Sequence, residues 1–228
     1  MSLAITWLGH ATLLLEIDGG RVIIDPFLAP NNPAATRDAG SLKADTILVT
    51  HGHGDHVADL MPLAKNTGAL VVANVEIAGW VNKHGYEGTR AINTGGSVAF
   101  PWGKAKMTPA LHSSGLPDGA YGGDPGGFVI TTADHRIYVA GDTAVFSDMS
   151  LIARGGIDIA VLPIGDNFTM GPDDALLALE FLKPRIVIPY HFGTWPLIEV
   201  DVEAWLAEVK AKTDVMPLLL TIDEAHAF

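Results

Sequence analysis

Cysteine is absent from the 228 residues, which excludes disulfides, thiolate zinc fingers, iron–sulfur clusters and a cysteine nucleophile. Basic residues are scarce: 14 Lys and Arg stand against 26 Asp and Glu, a formal net charge of −12. A chain of that sign repels polyphosphate, so sequence-independent nucleic-acid binding is not expected. Long hydrophobic runs are missing too, and no stretch approaches the ~18 apolar residues a membrane span requires. The opening Met-Ser-Leu-Ala-Ile-Thr-Trp has no basic segment, and His10 and Glu16 interrupt the apolar residues that follow. It does not read as a signal peptide, and a cytoplasmic protein is expected.

What is plentiful suits a globular chain of many short strands. Apolar residues make up 48%, enough for a full core, and 25 Gly and 14 Pro fit strands joined by tight turns. Strands are predicted over 3–8, 11–17, 21–25, 45–50, 70–73, 106–111, 128–132, 136–140, 158–162 and 185–190, with two more around Arg90 and Val98. Val57, Leu60, Met61 and Ala64 recur at helical spacing until Asn66-Thr67-Gly68 stops the helix. Further helices are predicted over 76–83, 172–182 and 202–212. The second half repeats the theme of the first, and no linker or low-complexity segment appears. Residues 1–228 therefore read as a single domain of two packed sheets with helices outside.

His51-x-His53-x-Asp55-His56 is the strongest chemical signal. It follows a buried strand, and Gly52 and Gly54 let the backbone turn tightly, so that alternate side chains point into one cleft. Imidazoles with a carboxylate are ligands for borderline metals such as zinc. Three more candidates sit at predicted strand ends: His112 after Ala110-Leu111, Asp142 after Ala140-Gly141, and His191 after Pro189-Tyr190. Any one of them alone would be an ordinary surface or core residue; together with the motif they read as ligands.

These residues, with Trp7-Leu8-Gly9-His10-Ala11, Leu162-Pro163-Ile164-Gly165-Asp166-Asn167-Phe168-Thr169-Met170-Gly171 and Tyr190-His191-Phe192-Gly193-Thr194, give a sequence that resembles the metallo-β-lactamase-fold metal-dependent hydrolases. The similarity covers nearly the whole chain. It is to a bacterial and archaeal branch that resembles L-ascorbate-6-phosphate lactonase and, more remotely, the phospholipase D that cleaves N-acyl phosphatidylethanolamines. The resemblance implies an α+β, four-layer αββα sandwich with its site at the sheet edges. It also implies two divalent metal ions, zinc or manganese: His51, His53 and His112 on one, Asp55, His56 and His191 on the other, and Asp142 bridging.

With such a centre, the expected reaction is hydrolysis of a small, anionic ester, lactone or phosphodiester by a metal-bridging hydroxide, with Asp55 and Asp142 as catalytic ligands. Two divalent ions outweigh two carboxylates and a hydroxide, which leaves a positive centre in an acidic protein. The alternatives are a nuclease or RNA-processing hydrolase of the same fold, disfavoured by the acidic balance, and a non-catalytic metal-binding protein, disfavoured by the full ligand set. Self-association into a homo-oligomer is compatible with apolar-rich helices.

Other residues carry two readings each. His10 either touches substrate or closes the first hairpin. Asp25, in Ile-Ile-Asp-Pro, either orients the metal loop through a hydrogen bond or is a turn carboxylate. Asp166 either lines the substrate pocket or forms a turn. Tyr190 is expected to point into the core. His84, His135 and His226 are assigned no metal. Trp80, Trp102 and Trp205 are expected in core or interface, whereas Trp195, close after His191, is a candidate for the site. Specificity is expected in the loops 31–40, 113–127 and 166–171.

Overall fold

The computed structural model describes residues 2–228, and two seven-stranded sheets dominate it. The first begins with an antiparallel meander, β1 (Leu3–Trp7), β2 (Leu13–Ile17) and β3 (Gly20–Ile24). Three parallel strands continue it: β4 (Thr46–Leu48), β5 (Leu70–Asn74) and β6 (Thr89–Ile92). The second sheet has the same plan. Its antiparallel strands are β7 (Ser97–Phe100), β8 (Gly103–Pro109), β9 (Gly126–Thr131) and β10 (Arg136–Val139). Its parallel additions are β11 (Ile159–Pro163), β12 (Ile186–Tyr190) and β13 (Met216–Pro217). The chain then returns to the first sheet, where β14 (Ala225–Ala227) lies antiparallel on β1.

Alternation along the strands builds the layers. Ile5, Leu13, Leu15 and Ile24 of the first sheet meet Met107, Phe128, Ile130, Val161 and Ile188 of the second in one shared core. Ile23, Ile47 and Val71 point the other way, under α2 (Leu60–Thr67) and α3 (Val75–Lys83). Tyr138, Ala160, Leu162 and Val187 do the same under α5 (Pro172–Leu182) and α6 (Val202–Lys212). Central strands are thus buried on both faces, which is why they read as unbroken apolar runs. The result is an αββα sandwich.

The structure differs from the sequence expectation at a few junctions. The helix predicted to open at Val57 opens earlier, as α1 (Gly54–Val57), and breaks before α2. At the break the Asp59 carboxylate accepts from Leu28 N at 2.7 Å and Asn31 Nδ2 at 3.0 Å, tying the 26–31 loop to the helix start. The strand predicted over 106–111 runs instead from Gly103 to Pro109, and beyond it Leu111 N turns to Thr143 Oγ1. The short α4 (Met149–Ile152) and β14 were not foreseen. All three residues of β14 are exposed, so no apolar alternation marks it.

Trp205 is buried and donates to Pro172 O at 3.0 Å, and Trp102 is buried and stacked on Phe100. Tyr190 is buried in the shared core, as expected. His84 packs on Trp80, and His226 sits on β14.

One buried amide fastens the long 113–125 loop to the first sheet. Asn74 Oδ1 accepts from Ile77 N at the start of α3, while its Nδ2 donates to Gly122 O at 2.7 Å and Asp124 O at 3.1 Å. Asn74→Ala loses the helix cap and leaves the Asp124 carbonyl unpaired, while Gly122 O keeps the Ser114 hydroxyl. A destabilisation of about 2–3 kcal/mol is expected in urea titration; a change below about 0.5 kcal/mol would contradict this role.

Candidate metal centre

Strand ends of both sheets converge on one edge. The first sheet supplies the turn after β4, where His51 is buried and His53 caps α1, which carries Asp55 and His56 on its single turn. Gly52 is closely packed: its N donates to Ser114 Oγ at 3.0 Å, and a Cβ would lie 3.1 Å from Leu116 Cγ. The second sheet supplies His112 beyond β8, Asp142 beyond β10 and His191 beyond β12. At Gly141 a positive φ and a Cβ position 2.5 Å from Gly126 O leave room only for glycine.

The seven side chains proposed from sequence as ligands meet in two groups. In the first, His53 Nδ1 lies 3.0 Å from His51 Nε2 and 3.2 Å from His112 Nε2. In the second, Asp55 Oδ2 lies 3.8 Å from both His56 Nε2 and His191 Nε2. The ligand atoms of each set lie within 4.8 Å of one another. Asp142 Oδ2 stands between the sets, 3.9 Å from His51, 3.6 Å from His112, 3.4 Å from His56 and 3.1 Å from His191.

A hydrogen-bonded layer beneath them fixes which nitrogen faces inward. Asp25 is fully buried and accepts from Thr50 N at 2.7 Å, Thr50 Oγ1 at 2.6 Å and His56 Nδ1 at 2.9 Å. Thr50 Oγ1, having donated to Asp25, accepts from His51 Nδ1 at 3.0 Å. One carboxylate thereby turns Nε2 of both His51 and His56 into the cluster. Thr50 was missed in sequence; its only signal is that it precedes the motif.

His10 is also placed inside the protein rather than at its surface. It is fully buried, Nε2 donates to Asp55 Oδ2 at 3.1 Å, and Nδ1 accepts from Thr194 Oγ1 at 2.8 Å. Burial pushes its pKa down to about 4 despite the Asp55 hydrogen bond, consistent with a neutral ring that donates once and accepts once. Trp195 packs edge-on against it, with centroids 4.7 Å apart. Thr194 was missed as well. Asp166 is exposed, its Oδ1 accepts from Asn167 N at 2.7 Å, and among the described residues it makes no hydrogen bond or ion pair to the seven.

Strain concentrates at this edge. Among the described residues eight non-glycines have positive φ, and His10, Asp25 and His191 are three of them. His191 N donates to His10 O at 3.1 Å, locking two of the strained positions together across the sheets.

The charge balance asks for cations. Burial foremost, then neighbouring histidines, holds His51 well below its usual range, and burial likewise lowers His53 and His112, so these rings are neutral. Burial also opposes charge on His56 and His191, but the Asp142 carboxylate outweighs it, lifting His56 well up and His191 to about 9. Despite burial, Asp55 is held low by the His10 hydrogen bond, then by His191 and His56, and Asp142 by His191 and His56. Among the described residues His56 Nε2, His191 Nε2 and Asp142 Oδ1 are nonetheless buried without a well-aligned hydrogen bond. Converging lone pairs and orphaned buried atoms fit metal ions of borderline softness, bound by imidazole and carboxylate.

Comparison with known proteins places the chain among metal-dependent hydrolases. The family model of the β-lactamase superfamily domain matches residues 20–192. A UPF0173 metal-dependent hydrolase of Thermus thermophilus is 50% identical over 208 residues, covering 91% of this chain and 92% of its own. One from Flavobacterium johnsoniae is 49% identical over 200 residues, covering 87% and 88%. Among solved structures, Igni18, a metallo hydrolase from the archaeon Ignicoccus hospitalis, superposes with a TM-score of 0.90 at 29% identity, covering 100% of this chain and 99% of that one. A possible metal-dependent hydrolase from Veillonella parvula shares the fold at a TM-score of 0.82 and 19% identity, with full coverage of both chains. The chain belongs to the β-lactamase superfamily and, within it, to the metal-dependent hydrolases of the metallo-β-lactamase fold.

Proposed function

We propose that the centre is binuclear and hydrolyses a small ester, lactone or phosphodiester. The observation that carries this reading is Asp142 Oδ2, within 3.1–3.9 Å of nitrogens from both histidine sets. His51, His53 and His112 would hold one ion, Asp55, His56 and His191 the other, and Asp142 would bridge them. Five imidazoles and two carboxylates favour zinc; manganese is the other ion that a carboxylate-bridged set accepts. When bound, the ions would supply Lewis acidity toward the scissile carbonyl or phosphoryl group and hydroxide at neutral pH.

The chain's own residues set the stage for that chemistry. Asp25 and Thr50 aim His56 and His51, and His10, steadied by Thr194, holds Asp55 in place; we assign His10 this positioning role rather than substrate contact. Trp195 shields the His10–Asp55 bond from water. Leu111, Tyr121 and Phe168 are exposed on loops that adjoin the centre. No Lys or Arg occurs in 110–125, 140–150, 164–171 or 191–201. An anionic group on the substrate would therefore be met by the metals and its apolar remainder by these side chains, which disfavours a long polyanion.

Reconstituted protein is expected to hydrolyse members of a bis(p-nitrophenyl) phosphate and lactone panel, and inactivity of fully metallated protein across that panel would remove the enzymatic reading. Asp142→Ala is expected to abolish turnover and to halve bound metal by elemental analysis; unchanged turnover would eliminate the bridging role. Asp25→Asn should weaken metal binding about 10–100-fold with the circular dichroism unchanged, and wild-type affinity would reject its orienting role.

Metal binding is also expected to release protons. His191, at about 9, and His56, raised well above its usual range, carry protons at pH 7 in the metal-free protein. Affinity should therefore rise with pH through neutrality, about tenfold per pH unit for each displaced proton, until both rings are deprotonated. Calorimetry in two buffers of different ionisation enthalpy reads this directly; identical heats in both would refute it.

A further inference from the structure

A second pocket lies on the outer face of the second sheet, away from the seven clustered side chains. It is a cavity of about 410 Å³ between β8, β9, β10 and α4. Ala105 and Met107 of β8 point into the shared core, so by alternation Lys106 and Thr108 point outward, beside Val129 and Arg136. Lys106, Arg136 and Arg154 all line the cavity.

These are three of only 14 basic residues in a chain of net charge −12; Arg136 N donates to Asp158 Oδ2 at 2.8 Å, but among the described residues no ion pair within 4.0 Å joins the side-chain nitrogens of the three to a carboxylate. Asp148, exposed at the rim, is the one acid in the lining. Arg136 is held rigidly, donating from Nη1 to Arg154 O at 2.8 Å and from Nη2 to Ile152 O at 3.2 Å, which closes the end of α4. Its Nε has no acceptor. Thr108, only 4% exposed, also lines the cavity, with its hydroxyl beside that of buried Tyr138. A fixed guanidinium, two exposed cations and a buried hydroxyl offer donors suited to an oxyanion. Val129, Leu151 and Ile152 add apolar walls, and Leu151 is 65% exposed, more than a core contact would leave it.

We propose that this cavity is an accessory binding site for a small organic anion, a phosphoryl or carboxylate group carried on a short apolar body. Its place in the fold connects it to the centre without merging with it. Thr94 and Pro109 line both this cavity and the hollow that ends at His112, and β8 leads from one to the other.

Phenyl phosphate titrated into the ¹⁵N-labelled protein tests the site by chemical-shift mapping, with inorganic phosphate and benzyl alcohol alongside. Saturable shifts are expected at the amides of Gly95, Val129 and Leu151. The paired substitution Lys106→Ala and Arg154→Ala, both at exposed positions, should weaken them about tenfold or more. Three results would overturn the proposal: shifts confined to Leu111 and Thr143 by the histidine cluster, affinity unchanged in the double variant, or inorganic phosphate binding as tightly as phenyl phosphate.

Discussion

Everything at the catalytic edge depends on keeping a carboxylate charged where water does not reach. Asp142 is 2% exposed and sits among four imidazoles. A buried charge of that kind is tolerated only when opposite charge and fixed donors surround it. Two histidines supply that charge as cations when no metal is present, and divalent ions would supply it in the proposed holoenzyme. The same burial that makes Asp142 costly to place makes the site selective for strong cationic partners. Around it, Asp25 spends both carboxylate oxygens on orienting neighbours, which converts three flexible side chains into one rigid unit.

The division of labour between the sheets follows from the chain path. One sheet contributes residues 51–56 on a single turn, whereas the other contributes His112, Asp142 and His191 from three separate strand ends. Neither histidine set is complete on one sheet: His112 joins His51 and His53, and His191 joins Asp55 and His56. The centre therefore exists only when the two halves are packed, and the shared apolar core is what brings them into register. The bond from His191 N to His10 O crosses the same seam. Metal binding and folding of the interface between sheets are coupled by this geometry.

Much of this was legible in the sequence because the signals were local. The His-x-His-x-Asp-His run, the apolar strands and the Pro-Asp-Asp helix start each depend on neighbours within a few residues. His112, Asp142 and His191 were legible for a different reason: each ends an apolar strand, so the fold carries them to one edge. Asp25 was left between two readings, and the structure puts it beneath His56 because β3 lies beside β4. What was not legible depended on long-range contact. Thr50 and Thr194 act through hydroxyls that no spacing rule singles out. His10 looked accessible at a hairpin turn, yet Trp195 and Thr194, 184 or more residues away, cover it. The strand at 225–227 escaped because edge pairing needs backbone, not side-chain pattern.

The scarcity of cations gives the surface its logic. Fourteen basic residues are too few to coat an acidic chain, so where they gather matters more than their number. None occurs in the loops 110–125, 140–150, 164–171 or 191–201, and that leaves attraction of an anion there to metal charge alone, which acts over a short range once solvent screens it. In the proposed reading, substrate selection at such an edge would rest on shape and apolar contact in the loops. On the outer face of the second sheet the arrangement is reversed: cations cluster, one of them pinned by two carbonyls, with no histidine in the lining. In the two proposals the surfaces would recognise negative charge by different means, one by coordination and the other by hydrogen bonding, so that a ligand suited to the second would have no structural reason to compete at the first.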